Sequence, residues 1–238
     1  MNIEEFSKEF LKKVKNLKIN ISEKEIDLFY KYMNLLIEWN EKINLTAITD
    51  EKDIILKHFI DSLTINNYIK EKNNILDIGT GAGFPGIPLK IINPESNFIL
   101  VDSLNKRINF LEEVKDKLQL EKLYLIHSRA EDLAKDINYR EMADIVVSRA
   151  VSNMRVLVEY MLPFVKVSGV CICMKGPNIK QELDEAKKAI EILGGKIEKI
   201  ENINLDNNLE RNIIIVRKIK NTPSKYPRKA GTPIKQPL

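Results

Sequence analysis

Hydrophobic residues in the first third of the chain recur every three or four positions, which is the spacing of one face of a helix. Two such stripes are separated by Ser22 and Glu25, whose spacing is typical of a capping box at a helix start. A third, shorter helix is predicted to begin near Asp50. We therefore predict an N-terminal helical segment over residues 1–72. Its apolar stripes are Phe6, Phe10, Leu11, Val14 and Leu17, and then Ile26, Phe29, Met33 and Leu36.

From residue 73 the pattern changes to short apolar runs that alternate with helical stretches. Such alternation is typical of a mostly parallel sheet with helices on both faces, and a short polar connection joins the last two runs as an antiparallel hairpin. We predict an α/β, Rossmann-like core with a seven-stranded sheet over residues 73–220, followed by a basic tail over 221–238. The predicted strands are 74–78, 97–102, 123–127, 143–148, 169–175, 196–203 and 212–218. The predicted helices are 86–92, 105–118, 154–165 and 179–193.

Composition narrows the class of protein. The 238 residues, 44% of them hydrophobic, suffice for one domain with a small appendage. No window approaches the ~20 apolar residues of a membrane-spanning helix. The first residues lack the basic-then-apolar order of a secretory signal, so we expect a cytoplasmic protein. Cys171 and Cys173 alternate within an apolar run, and we expect buried thiols, no disulfide and no metal.

The net charge of +4 is unevenly distributed along the chain. From Arg211 onward the sequence has eight basic residues and no acidic one, so the preceding residues carry a net negative charge. A basic end on an acidic body indicates either a polyanionic partner or a solvated lysine-rich tail.

The loop after the first predicted strand runs DIGTGAGFPG over residues 77–86. Read from Gly81, it fits the GxGxxG pattern of dinucleotide sites, with Asp102 about twenty residues further on. Read from Asp77, it is an acid followed by alternating glycines, as in S-adenosylmethionine sites. Asp77 would repel a pyrophosphate but attract a sulfonium and an ammonium, and Pro85 removes an N–H that a pyrophosphate would use. We therefore predict S-adenosylmethionine as the cofactor, with Asp77, Gly79 and Gly81 at its site.

Ligands in such sheets bind beyond the carboxyl ends of the strands, where three further groups of residues are expected. Asp102 ends the second strand and is placed to accept ribose hydroxyls or to cap the following helix. Ala130 and Glu131 follow the third strand and are expected to contact the adenine. Arg149 follows the fourth strand, where it binds cofactor, holds substrate or forms a surface ion pair.

Five segments together resemble one family, the bacterial small-subunit rRNA guanine-N7 methyltransferases, also called glucose-inhibited division protein B. They are HFIDSL at 58–63, LDIGTGAGFPG at 76–86, HSRAE at 127–131, SRAV at 148–151 and YPRKAGTP at 226–233. The resemblance implies a class I methyltransferase fold and methylation of a guanine N7 in the decoding-region loop of 16S rRNA. It also implies cofactor contacts at Gly79, Phe84, Ala130, Glu131 and Arg149.

The implied chemistry needs little from acid–base groups. Guanine N7 carries a lone pair, so alignment of the reactants can suffice, and we expect no catalytic general base. His58, Asp61 and Ser62 share one helix too closely for a relay and are interpreted as hydrogen-bonding residues at an RNA or core surface.

The expected partner is 16S rRNA or the small ribosomal subunit, bound by a protein that we expect to be a monomer. The expected RNA contacts are Arg149, Lys175, Tyr226, Arg228 and Lys229, with the Tyr226 ring stacking on a base. Two rival functions remain: a nicotinamide-dependent oxidoreductase, and an RNA- or ribosome-binding module that has the fold without catalysis.

Overall fold

A computed structural model describes residues 1–149, 152–206 and 209–238. The chain begins with helices α1 (Ile3–Val14) and α2 (Glu23–Ile43), and α2 starts with the predicted capping box at Ser22. A third helical stretch follows as α3 (Glu51–Asp53), a π-helical part (Ile54–Ile60) and α4 (Asp61–Leu63). Short 3-10 turns complete this segment at Lys15–Leu17 and Asn66–Tyr68.

The core alternates strands and helices as the sequence predicts. The strands are β1 (Asn74–Ile78), β2 (Asn97–Asp102), β3 (Leu123–His127), β4 (Ala143–Arg149), β5 (Val165–Lys175), β6 (Gly195–Asp206) and β7 (Leu209–Lys218). The helices are α5 (Gly86–Ile92), α6 (Asn105–Leu118), α7 (Ala130–Leu133), α8 (Met154–Met161), α9 (Lys180–Ile192) and α10 (Thr232–Lys235), with a 3-10 turn at Leu162–Phe164.

One seven-stranded sheet has the order β3-β2-β1-β4-β5-β7-β6. The first five strands pair in parallel, whereas β7 runs antiparallel to both β5 and β6. The predicted class I methyltransferase architecture, including the C-terminal hairpin, is therefore confirmed. Because β1 and β4 are neighbours while the chain order reverses between them, the crevice at their carboxyl ends is where a ligand is expected.

Apolar side chains fill both faces of the sheet. The N-terminal helices, α5 and α6 cover one face with a cluster that includes Phe6, Phe10, Phe29 and Phe59. Helices α8 and α9 cover the other face, where Cys171 and Cys173 are buried free thiols. No helix among the described residues is long and apolar enough to cross a membrane.

Several element bounds differ from the prediction. Helix α8 ends at Met161 rather than near residue 165, because Pro163 cannot continue an α-helix. Strand β5 begins at Val165, four residues earlier than predicted. The exposed residues that follow Val165 have no apolar pattern from which a strand could be predicted. Both arms of the β6–β7 hairpin are longer than predicted, because the residues added near its turn are mostly polar and none of them is buried.

The predicted basic tail over residues 221–238 packs against the core. The Arg140 guanidinium donates to the carbonyl oxygens of Tyr226 at 2.9 Å and Thr222 at 3.0 Å. The Arg155 guanidinium donates to the carbonyl of Pro237 at 2.8 Å and to that of Leu238. The C-terminal segment, residues 221–238, is thus held against the core at both of its ends.

Candidate active site

The glycine loop after β1 has a backbone that ordinary side chains rarely allow. Gly79, Gly81 and Gly83 have φ angles of 69°, 63° and 98°. The N–H groups of Gly79 and Thr80 both donate to the Val101 carbonyl, at 2.9 and 3.1 Å. The loop is therefore fixed to the end of β2, and its shape depends on glycine.

Two of these glycines serve different purposes. A Cβ at Gly83 would meet Ile87 Cγ1 at 2.6 Å and the Tyr32 hydroxyl at 2.7 Å, so this glycine lets helix α2 approach the loop. A Cβ at Gly81 would meet no described atom within 4 Å. Gly81 thus presents bare backbone to open space, which is the cradle that a closely bound ligand requires.

Asp77 lies beneath the loop and is fully buried. Its Oδ2 accepts hydrogen bonds from the Thr80 hydroxyl at 2.7 Å and from the Gly86 N–H at 2.9 Å. Burial raises the pKa of Asp77 to about 7 against these bonds. Oδ1 is buried with no hydrogen-bond partner among the described residues. A cationic ligand nearby would offset the cost of that buried oxygen, so the site fits S-adenosylmethionine better than a phosphate.

The two carboxylate oxygens of Asp102 hold the glycine loop and the turn that follows β2. Its Oδ2 accepts from the Gly81 N–H at 2.9 Å, beside the cradle. Its Oδ1 accepts from the Leu104 N–H at 2.9 Å, which fixes the turn into α6. The Arg107 guanidinium, which the sequence reading missed, lies 3.2 Å from Oδ2. The carboxylate is therefore oriented at the centre of the crevice.

The crevice has two lobes that share Gly79, Asp102 and Ser103. We call the first the arginine lobe; it is lined further by Leu45, Thr46, His58, Thr80, Gly81, Ala82, Phe84, Arg107 and Arg149. We call the second the glutamate lobe; it is lined further by Ile78, Val101, Ser128, Arg129, Ala130, Glu131, Ser152, Tyr160, Gly231 and Ile234. Each predicted cofactor residue except the buried Asp77 lines one or both lobes.

Phe84 forms the floor of the arginine lobe. The His58 ring stacks on it with centroids 4.3 Å apart, and the Arg149 guanidinium lies 5.0 Å from its centroid. The two nitrogens of His58 contact the Thr46 hydroxyl at 2.9 Å and the Arg149 guanidinium at 3.1 Å. Burial, and then the charge of Arg149, lowers the pKa of His58 to about 3. His58 is therefore a neutral packing residue at physiological pH.

Arg149 is held by a buried ion pair rather than by the surface pair considered from the sequence. Its guanidinium donates to Asp61 Oδ2 at 3.1 Å and to the Lys57 carbonyl at 3.0 Å. Arg211 of β7 donates to both oxygens of the same carboxylate at 3.1 Å. Asp61 thus joins the third helical stretch to β4 and β7, which places the HFIDSL motif in the core rather than at an RNA surface.

Three residues that line the arginine lobe or support it were not predicted from the sequence: Tyr32, Arg107 and Arg211. The Tyr32 hydroxyl donates to the Ala82 carbonyl in the glycine loop. Tyr32 and Arg211 come from elements that are distant in sequence from the glycine loop and from Arg149, whereas Arg107 lies five positions after Asp102. In the SRAV motif, Ala150 and Val151 lie outside the described residues.

Several of the residues predicted to contact RNA are buried or engaged in ion pairs within the protein. Tyr226 is only 8% exposed, so its ring does not offer a free face for stacking. Lys175 is also buried and pairs with Glu182 at 2.6 Å. Arg228 pairs with the fully buried Glu159 at 2.6 Å. Of the predicted tail contacts, Lys229 alone is exposed among the described residues.

Comparison with known proteins agrees with this geometry. The family model of rRNA small subunit methyltransferase G, GidB, matches residues 25–214. The chain belongs to this family. Curated members named ribosomal RNA small subunit methyltransferase G are closely similar to it. The Clostridium tetani protein is 54% identical, with 92% of this chain and 93% of that protein covered. The Acetivibrio thermocellus protein is 53% identical, with 92% and 91% covered.

Solved structures extend the likeness of this methyltransferase G family member to the wider fold. A putative transferase, PH0793, from Pyrococcus horikoshii aligns with a TM-score of 0.56 at 13% identity, over 68% of this chain and 63% of that one. TYW2 from M. jannaschii, solved in complex with AdoMet, aligns with a TM-score of 0.55 at 16% identity, over 67% and 75%. These identities establish the class I methyltransferase fold alone.

Proposed function

We propose that this protein transfers the methyl group of S-adenosylmethionine to N7 of a guanine in 16S rRNA, acting on the RNA or on the small ribosomal subunit in the cytoplasm. Membership of the methyltransferase G family and the names of its curated members support the substrate. One structural observation carries the cofactor: an open backbone cradle at Gly81 lies above a buried carboxylate with an unpartnered oxygen. The negative charge of the Asp77 carboxylate would repel a pyrophosphate at this cradle.

The chain's own residues would hold the cofactor in two parts. Gly79, Gly81 and Phe84 line the arginine lobe, and Asp77 beneath the glycine loop supplies negative charge when it is ionised. Asp102, at the centre of the crevice, would accept hydrogen bonds from the ribose hydroxyls. Ala130 and Glu131 line the glutamate lobe, where the adenine would bind. When bound, the cofactor supplies an electrophilic methyl group on a sulfonium.

The proposed methyl transfer requires no general base from the described residues of the arginine lobe. Both ring nitrogens of His58 are engaged and the ring is buried beside a guanidinium. The Asp61 carboxylate is already paired with the guanidinium groups of Arg149 and Arg211. Guanine N7 has its lone pair in the ring plane, so the protein's contribution is to orient the base and to exclude water. Arg149 lines the lobe and is rigidly held, so it is the residue we propose to position the guanine or the cofactor.

The RNA contacts that we retain are Arg149 in the lobe and the exposed Lys229 on the C-terminal segment. Lysine contacts with phosphates give salt-dependent and sequence-independent affinity. The target base would then be selected inside the crevice and not along this surface.

Methyl transfer from labelled S-adenosylmethionine to small subunits that lack the modification tests the proposal. We expect label in 16S rRNA, recovery of N7-methylguanosine after digestion to nucleosides, and a single strand break after borohydride and aniline treatment. Label on another atom or base would refute the N7 assignment. Absence of label from subunits and from naked 16S rRNA alike would refute the proposed activity.

A further inference from the structure

The C-terminal segment forms part of the wall of the glutamate lobe. Gly231 and Ile234 line the same cavity as Ala130 and Glu131. The Gly231 N–H donates to Glu131 Oε1 at 3.0 Å, across 100 positions of sequence. The residue expected to contact adenine is therefore itself held by the C-terminal segment.

Arg228 anchors this segment to helix α8. Its backbone N–H donates to Glu159 Oε1 at 2.8 Å, and its guanidinium reaches Oε1 at 2.9 Å and Oε2 at 2.6 Å. Glu159 is fully buried, so the contact is a bidentate, charge-assisted pair of the strong kind. Arg155 holds the other end at Pro237. The turn between the two anchors is thereby fixed at the mouth of the lobe.

Ile234 is the apolar residue that this turn presents to the cavity. It is 63% exposed, although it lines the lobe. The same lobe is lined by the buried Tyr160 and by Ala130. Such a cavity suits a flat, largely apolar ring with polar edges. Ile234 can cover the face of the ring, and Glu131 is near enough to contact its edge.

We propose that the turn from Gly231 to Ile234 is a component of the S-adenosylmethionine site that contacts the adenosine end, and that the Arg228–Glu159 pair positions it. This inference rests on the proposed function. It assigns Arg228 to cofactor binding through the turn, in place of direct contact with RNA.

The first test is calorimetric titration of the full-length protein with S-adenosylmethionine and with S-adenosylhomocysteine. Ile234→Ala should weaken both ligands about equally, by roughly five- to tenfold, because the lost contact is apolar and remote from the methyl group. The matched control is Gln236→Ala, an exposed residue two positions further on that does not line the lobe. Equal affinities for Ile234→Ala, the control and the wild type would overturn the proposal.

The second test separates positioning from RNA contact. Glu159→Gln leaves the charge of Arg228 unchanged, whereas Arg228→Gln removes it. If the pair positions the turn, both variants raise KM for S-adenosylmethionine with a smaller change in kcat, and both leave 16S rRNA affinity unchanged. If only Arg228→Gln weakens RNA binding, and KM stays constant in both variants, the inference fails. Circular dichroism at the assay temperature confirms that each variant is folded.

The two levels of the account fail in different ways. A wild-type protein that does not bind S-adenosylmethionine refutes the proposed function together with this inference. A wild-type protein that binds it, with Ile234→Ala indistinguishable from Gln236→Ala, refutes the inference alone.

Discussion

Replacing Asp61 with asparagine tests the buried network that holds Arg149. The side chain of Asp61 is 1% exposed, and its two partners, Arg149 and Arg211, are 13% and 21% exposed. Asparagine has nearly the same shape but no charge, and its amide nitrogen would face guanidinium donors. Two arginines would then remain in a poorly solvated region without their shared carboxylate.

The expected loss of stability is large for a single conservative change. Removing one partner of a buried ion pair costs about 3–5 kcal/mol, because the remaining charge is left uncompensated. For a domain of this size each kcal/mol lowers Tm by about 2–4 °C, so Asp61→Asn should lower it by roughly 6–20 °C. Methyl transfer should fall as well at temperatures where the variant is folded, since Arg149 loses its orientation.

Urea unfolding followed by circular dichroism measures this difference. Asp53→Asn is the matched control: Asp53 lies on the same helical stretch and pairs with Lys57 at 2.8 Å, but it is 43% exposed. An exposed pair of this kind contributes about 0.3–0.5 kcal/mol. An Asp61→Asn variant whose unfolding free energy lies within about 1 kcal/mol of this control would show that the network is not the anchor that the geometry indicates.

Three further predictions concern the crevice. Gly81→Ala should weaken S-adenosylmethionine binding at least tenfold, because a residue with a side chain pays about 1–2 kcal/mol for the left-handed backbone and the added methyl enters the cradle. The control variant Gly176→Ala should bind S-adenosylmethionine normally, and calorimetry measures both affinities. Burial raises the Asp77 pKa from 3.8 to about 7, so its contribution to stability is complete below pH ~4 and is lost as the pH rises towards 7. Asp77→Asn should therefore make the unfolding free energy less dependent on pH over that window. An unchanged slope would contradict the pKa shift. Because the His58 pKa is about 3, its ring resonances should not move between pH 5 and 8, and an NMR titration midpoint in that range would contradict the burial argument.

The order of elements was predictable because each depends on local patterns. Alternating apolar runs, the capping box at Ser22 and the glycine loop after β1 are all readable within a few residues. The strand termini were less predictable, since the outer parts of β5 and β6 face solvent and have no apolar periodicity.

The site was predictable only where its residues follow strand ends. Gly79, Asp102 and Ala130 could be placed because the carboxyl ends of parallel strands meet at one edge. The partners of Arg149 could not, because Asp61 and Arg211 are 88 and 62 positions away and meet only in the folded chain. The basic charge of the C-terminal segment did not predict the ion pair of Arg228. A basic residue in a basic stretch gives no indication that it pairs with a buried glutamate on another element.

Direct competition between cofactor classes tests the central claim, which is that the crevice holds a cationic methyl donor above Asp77. Calorimetric titrations of the wild-type protein with S-adenosylmethionine and with NADH, under identical conditions, make the comparison. We predict one-to-one binding of S-adenosylmethionine and no detectable heat of binding for NADH. Saturable binding of NADH, with no response to S-adenosylmethionine, would contradict the account.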